Sequence, residues 1–426
     1  MADNYDFGTY AGYADGNVPT EPSRPVRGNN TGMRRRPQRD AADSEHRAPS
    51  KENISFWQKG RIDITFLALV VVLMAIGLLC LFSSSYAYAL QNYGDSYHFI
   101  KKQVLFAGIG FVGMFFASRV NYHIYRRFAW PIYFITVAML IVVLILPPMS
   151  EDLDFHRWLY VGSFSFQPSE VAKFSIVLLF SHLISKYYTT KMKTFKFSVC
   201  QLGLLLAVFC GLVVVETHLS ATLLIFSIGA SLMVIGGIKL RYVFGALGIG
   251  AGGAIVAVAT GLVGYGNDRI TSWLDPWSDA QGVGWQIIQS LLSISSGGFF
   301  GRGLGESRQK YLWVPEPHND FIFAIVCEEL GLIGALIIIA LFAFLIWRGF
   351  IIAMRSPDKF GSFMAIGLTL QVGLQAALNI MVVTNTIPNT GISLPFFSYG
   401  GTALIMLLTQ MGVVLSISRA SSVTKM

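Results

Sequence analysis

Ten apolar runs, most of them long enough to cross a bilayer as a helix, follow one another between residues 63 and 418. They lie near 63–84, 103–118, 129–147, 169–187, 198–215, 220–237, 242–263, 321–347, 361–384 and 400–418. A hydrocarbon core of ~30 Å takes ~20 helical residues to cross. In lipid each backbone N–H and C=O must be paired inside its own segment or in a closed barrel, and the two-residue alternation of a barrel is absent. The expected fold is therefore an all-α integral membrane protein, a polytopic bundle of about ten transmembrane helices. Composition agrees: 53% of residues are hydrophobic and 13% charged, about half the ordinary charged share of ~25%. So few charges could not cover a soluble surface.

Residues 1–55 lack apolar periodicity and carry Arg34, Arg35 and Arg36. They are expected to form a disordered basic tail attracted to anionic headgroups. No apolar stretch with a cleavage site precedes residue 63, so a signal peptide is not expected. The membrane domain is assigned to 56–420 and a short C-terminal tail to 421–426. The net charge of +8 does not describe a nucleic-acid surface. Ten of the 32 Lys and Arg lie in residues 1–61, and most others sit at the ends of apolar runs, the pattern of membrane topology.

The loops after the second, fourth, sixth and eighth runs hold twelve basic residues: Arg119, Arg126, Arg127, Lys186, Lys191, Lys193, Lys196, Lys239, Arg241, Arg348, Arg355 and Lys359. The other loops are much longer and hold seven: Lys101, Lys102, Arg157, Arg269, Arg302, Arg308 and Lys310. The dense set belongs in the cytoplasm, which places both termini there and leaves 148–168, 264–320 and 385–399 outside. A connection as long as 264–320 is usually functional or disordered. This one holds Trp273, Trp277, Trp285 and Trp313, an apolar stretch at 285–294, and a glycine cluster at 297–305. It is expected to be a structured outer loop with a short amphipathic or re-entrant helix at the membrane surface.

Ionisable residues at membrane depth are costly and therefore informative. Glu170, Lys173, Glu216, His218, Asp320, Glu328 and Glu329 all fall near the outer ends of their runs, which points to a site open to the exterior rather than to a proton relay. From the residues alone, Asp320 before an apolar helix reads first as an N-cap and second as a general base. Lys173 can snorkel, hold a phosphate or pair with Glu170. Glu328 or Glu329 reads as a hydrogen-bonding group between helices. The four cysteines have no disulfide or zinc spacing, and no Walker A or dinucleotide fingerprint appears.

Four strings together resemble the SEDS family, the FtsW/RodA/SpoVE group of bacterial membrane proteins. They are His156-Arg157-Trp158 followed by Gln167-Pro168-Ser169-Glu170-Val171-Ala172-Lys173; Gly301-Arg302-Gly303-Leu304-Gly305 with Ser307; Pro315-Glu316-Pro317-His318-Asn319-Asp320 leading to Glu328-Glu329-Leu330-Gly331; and Leu394-Pro395-Phe396-Phe397-Ser398-Tyr399-Gly400-Gly401. Their wording is closest to the division and sporulation branch. Two positions depart: Asn319 stands where the family often has Thr, and Glu216-Thr217-His218 stands where many members have Gln-Pro-Asp.

The resemblance implies a peptidoglycan glycosyltransferase that polymerises lipid II on the outer face of the bacterial cytoplasmic membrane. Asp320 matches the family's essential aspartate and would be the general base. Arg157, Trp158, Lys173, Arg302, His318 and Glu328 are the expected substrate-binding residues. The leaving polyprenyl diphosphate needs Lys, Arg or a divalent cation, Mg or Mn. No residue set is assigned to a metal. Expected partners are lipid II, the polyprenyl-diphosphate-linked glycan, a class B penicillin-binding protein, other divisome proteins and membrane lipid, with no nucleic acid. The alternatives are a lipid II flippase and a non-catalytic scaffold for the transpeptidase.

Overall fold

The computed structural model describes residues 56–146, 157–161, 164–188, 191–242, 245, 248, 264–282, 284–311 and 313–423. The expected tail at 1–55, nearly all of the seventh run at 242–263, and His156 lie outside the described residues.

Helices α1 (Ile64–Tyr93), α2 (His98–Arg119), the short α3 (His123–Arg127) and α4 (Ala129–Ile145) open the fold. A two-strand antiparallel ribbon, β1 (Leu159–Val161) and β2 (Phe164–Phe166), leads into α5 (Pro168–Tyr187). A π-helical turn (Lys196–Gln201) runs into α6 (Leu202–Val215), followed by α7 (Leu219–Ile235). The segment 264–297 contributes α8 (Gly264–Leu274), a 3-10 turn (Pro276–Asp279) and α9 (Trp285–Gly297). Helices α10 (Ile322–Met354), α11 (Lys359–Val383) and α12 (Gly401–Val423) complete it.

Among the described residues, six helical stretches are long and apolar enough to cross a membrane: α1, α2, the π-turn with α6, α10, α11 and α12. Helices α4 and α7 are shorter and apolar. Helix α5 carries Glu170, Lys173 and Lys186, yet it sits at the centre, with Ile176, Val177, Leu178, Leu179 and Phe180 fully buried. A helix buried all round needs no polar face.

The expected loop at 85–102 is mostly helix. Ser83-Ser84-Ser85 ends the apolar run without ending α1, because Ser84 Oγ donates to the Leu81 carbonyl within the helix at 3.1 Å. The stop comes at Gly94, which takes the left-handed conformation (φ 68°) and closes the last turn. At the other end Asp63 caps α1 by accepting from the Phe66 N–H at 2.9 Å. The same carboxylate pairs with Arg348 of α10 at 2.8 Å, and the Asp63 N–H donates to Ser418 Oγ of α12 at 3.1 Å. One aspartate thus ties the ends of three helices.

Helix α10 is broken at Gly331 (φ 67°, ψ −171°). Across the break, the Glu328 and Glu329 carbonyls accept from the N–H groups of Arg302 and Gly303 at 3.0 Å each. The Leu332 and Ile333 N–H groups donate to the carbonyls of Gly298 and Phe299 at 2.9 and 3.2 Å. The glycine cluster is therefore inserted into the helix as a substitute hydrogen-bonding partner. Only residues without a Cβ allow this approach. A Cβ on Gly301 would lie 2.1 Å from the Glu329 oxygen, and one on Gly297 would lie 2.0 Å from the Cys327 oxygen.

Gly301→Ala and Gly305→Ala separate backbone strain from this clash. Both sites have positive φ, but a Cβ on Gly305 meets nothing within 4 Å. Gly305→Ala is expected to cost ~1–3 kcal/mol through φ strain alone, whereas Gly301→Ala adds a backbone collision. Thermal unfolding in detergent should show a much larger drop in Tm for Gly301→Ala.

Candidate functional site

At the end of the bundle opposite the Asp63–Arg348 contact, a cavity of about 300 Å³ opens between the β1–β2 ribbon, α5, the α6–α7 turn, the start of α10, α11 and the segment before α12. Its wall carries Asp320, Glu316 and Asn319 on one side, with Arg157, Trp158, Glu170, Lys173, His218 and Gln375 on others.

Asp320 is positioned by its backbone. Its carbonyl accepts from Asn379 Nδ2 of α11 at 2.7 Å, and the Asn379 amide also donates to the Ile392 carbonyl at 2.6 Å. One residue earlier, the Asn319 carbonyl accepts from Ser398 Oγ at 2.8 Å. Before that, the His318 carbonyl accepts from the Tyr399 N–H at 2.9 Å. The Pro395-Phe396-Phe397-Ser398-Tyr399 string is thus a backbone cradle for the segment that ends at Asp320. Gly391 (φ 70°) brings its chain so close that a Cβ there would lie 3.1 Å from Asp320 Oδ2.

The N-cap reading of Asp320 does not hold. The cap position of α10 is Phe321, and the helix start has no side-chain cap bond. The Asp320 carboxyl is turned to the cavity instead. Burial, then the nearby Glu316 charge, push it up to about 6, while Arg157 and Arg269 act in the opposite direction.

Lys173 is held in the wall rather than snorkelling. It pairs with Glu170 at 2.8 Å, as its i,i+3 spacing allows, and donates to Gln375 Oε1 at 3.1 Å. Gln375 Nε2 in turn donates to the Ser393 carbonyl at 3.1 Å. Arg157 Nη2 donates to the Thr217 carbonyl at 2.6 Å, tying the approach to the ribbon to the α6–α7 turn. His218 lies within 3.5 Å of Gln167, and burial pushes it down to about 3, so it is neutral at physiological pH.

Of the expected site residues, the structure brings Asp320, Arg157, Trp158 and Lys173 to one cavity. It does not bring Arg302, His318 or Glu328 there. Arg302 Nε donates to the Ser296 carbonyl at 3.2 Å and lies 3.8 Å from Glu328, at the break in α10. Glu328, fully buried, accepts from Ser307 Oγ, from the Arg308 and Gln309 N–H groups and from Ser293 Oγ. Its neighbour Glu329 accepts from Ser83 Oγ at 2.6 Å and pairs with Lys310 at 3.2 Å. His318 packs against the rings of Phe99 and Tyr88, with centroids 4.1 and 4.9 Å away, and burial pushes it down to about 4. These three hold together the segment that leads into α10.

Gln375 and Asn379 are not among the expected site residues, although the sequence carries their signal: Gln371, Gln375 and Asn379 recur every four residues in a mostly apolar run and so share one helix face. Among the described residues no three His, Cys, Asp or Glu side chains converge as a metal cage. Lys173 and Arg157 are the Lys and Arg side chains that line the cavity.

The profile of the FtsW/RodA/SpoVE family, described as a cell cycle protein, matches residues 63–423. The chain belongs to that family. It is 39% identical over 360 residues to stage V sporulation protein E of Bacillus subtilis, covering 84% of this chain and 97% of that protein. It is 36% identical over 356 residues to a probable peptidoglycan glycosyltransferase FtsW of a Geobacter species, covering 84% and 96%. A solved peptidoglycan synthase complex, described as coordinating polymerisation and crosslinking, contains a chain that superposes with a TM-score of 0.69 at 24% identity, covering 84% and 98%. The rod shape determining protein RodA of Thermus thermophilus superposes at 0.62 with 23% identity, covering 84% and 97%. At that identity the two solved structures establish the shared fold. Within the FtsW/RodA/SpoVE fold this chain is a multi-pass protein of the bacterial cytoplasmic membrane.

Glu328 and Asp320 should respond oppositely to neutralisation. Glu328→Ala leaves several buried donors unpaired and is expected to cost ~3–5 kcal/mol, read as a large fall in Tm in detergent. Asp320→Asn should hold or raise Tm at pH 7.5. A carboxyl pushed up to about 6 favours its neutral form in the folded state, so its ionisation opposes folding above that pH.

Proposed function

We propose that the chain is a peptidoglycan glycosyltransferase polymerising lipid II on the outer face of the membrane during cell division or sporulation, with Asp320 as general base. The observation that carries this reading is the cavity itself. One carboxyl with an elevated pKa shares it with Lys173 and Arg157, at the bundle end remote from Asp63 and Arg348. The names of the FtsW relatives support the substrate class.

The topology that goes with it has ten crossings, both termini cytoplasmic, and residues 264–320 outside. The distribution of Lys and Arg supports that orientation. Both substrates are lipid-linked, so their diphosphates lie at headgroup depth while their sugars reach into water. Asp320 takes the proton of the acceptor sugar's 4-hydroxyl as that oxygen attacks the anomeric carbon of the donor. The bond from that carbon to the polyprenyl diphosphate breaks, and its growing charge is met by Lys173 and Arg157. A single displacement inverts the centre and gives a β-1,4 link without a covalent intermediate. The elevated pKa suits the role, because a base is most effective when its pKa lies near working pH. The partner that fits is a class B penicillin-binding protein, together with other divisome proteins, since a relative of this fold works in a polymerising and crosslinking complex.

Asp320→Asn, assayed with its partner transpeptidase, is expected to lose lipid II polymerisation by ~10²–10⁴-fold while the protein stays folded. Near-normal polymer would defeat the assignment. Lipid II movement across vesicles without polymer would favour a flippase. The rate in the unmodified protein should fall as pH drops through about 6, because only the ionised carboxylate accepts the proton.

A further inference from the structure

Glu216 is the buried acid that the mechanism above does not use. It caps the C-terminal end of α6 at 1% exposure, and among the described residues neither carboxyl oxygen has a hydrogen-bond partner. Two independent costs bear on its charge. Burial without a partner penalises a carboxylate heavily, and the carbonyl end of a helix is already negative. The residue therefore rests as a neutral acid.

Its surroundings connect it to the site. The next residue, Thr217, adopts a left-handed conformation (φ 57°) that a branched side chain seldom takes. That conformation directs the Thr217 carbonyl to Arg157 Nη2 at 2.6 Å, and His218 after it lines the cavity. Arg157 is also the charged group whose field acts on Glu216, and it acts on Asp320 as well. The charge of one guanidinium thus bears on two acids, one on the cavity wall and one buried next to the Thr217 carbonyl that Arg157 binds.

We infer that Glu216 is a positioning residue for Arg157, a buried acid whose ionisation draws the guanidinium out of the cavity and weakens the site's hold on a diphosphate. In the neutral form Arg157 keeps its bond to the Thr217 carbonyl and faces the site. When Glu216 releases its proton to solvent, an unscreened carboxylate lies beside the same turn, and pairing with Arg157 is its way to be satisfied. Diphosphate binding and Glu216 ionisation then compete for one cation. By linkage, each must weaken the other by the same factor. Burial, opposed by Arg157, pushes Glu216 up to about 8, so the competition falls in an accessible pH range.

This inference rests on the glycosyltransferase reading, and the experiment separates the two. Lipid II polymerisation by the full chain with its transpeptidase partner is followed from pH 6.5 to 9, and KM and kcat are extracted separately. One unit above the Glu216 value, about a tenth of the acid remains neutral, so apparent KM for lipid II should rise up to ~10-fold between pH 7 and 9, with kcat changing far less. Glu216→Gln should abolish the rise and Glu216→Asp should retain one. If Glu216→Gln does not fold, Arg157→Met gives the second test: its weaker residual activity should lose the alkaline rise in KM, since the cation in dispute is gone. An alkaline rise that persists in Glu216→Gln or in Arg157→Met overturns the inference and leaves the enzyme assignment standing. A parent protein that makes no polymer at any pH overturns the enzyme assignment instead.

Discussion

A spanning helix cannot simply break in lipid, because the freed N–H and C=O groups would have no partner. Here α10 breaks at Gly331 and remains satisfied, since the chain at 298–303 supplies two donors and two acceptors to the exposed rungs. Most of the architecture around the start of α10 follows from that exchange. It brings the glycine segment against the helix and places Ser307, Arg308 and Gln309 over Glu328, with Lys310 over Glu329. The start of α10, and with it Asp320, is then held at one depth.

The same constraint explains why so many polar groups are buried with little exposure to lipid. Glu328 and Glu329, acids within an apolar helix, are each engaged by donors from elsewhere in the chain. Such networks are costly unless complete, and both acids here act as anchors. Asp320 is the contrasting case. Its backbone carbonyl is bound by Asn379 while its carboxyl is left facing a cavity that holds Lys173, Arg157 and Glu316. One backbone is immobilised while its carboxyl is left free to face the cavity.

The cavity also draws together parts of the chain far apart in sequence. Lys173 of α5 bonds Gln375 of α11, and Gln375 bonds Ser393 in the segment before α12. Arg157 bonds the α6–α7 turn. Each link is one or two hydrogen bonds, yet together they fix where the cavity's positive charge sits. The α6–α7 turn is where this chain departs from the family wording, and there the structure buries an acid rather than exposing one to substrate.

The class of fold was legible in the sequence, because apolar run length is a local property that the bilayer selects directly. The importance of 264–320 was legible too, from tryptophans and glycines that a slack loop does not need. The division of labour among the charged residues was not. Arg302, His318 and Glu328 carry the same motif signals as Arg157 and Lys173, and spacing cannot say which will meet the cavity. Gln375 and Asn379 gave a four-residue period, but their partners lie at residues 173, 320, 392 and 393. Even the cap reading of Asp320, sound by local rules, failed because Asn379 and Ser398 grip the backbone around it. Whether a buried polar group anchors, positions or reacts depends on which remote donors and acceptors reach it, and that only the packing of the helices decides.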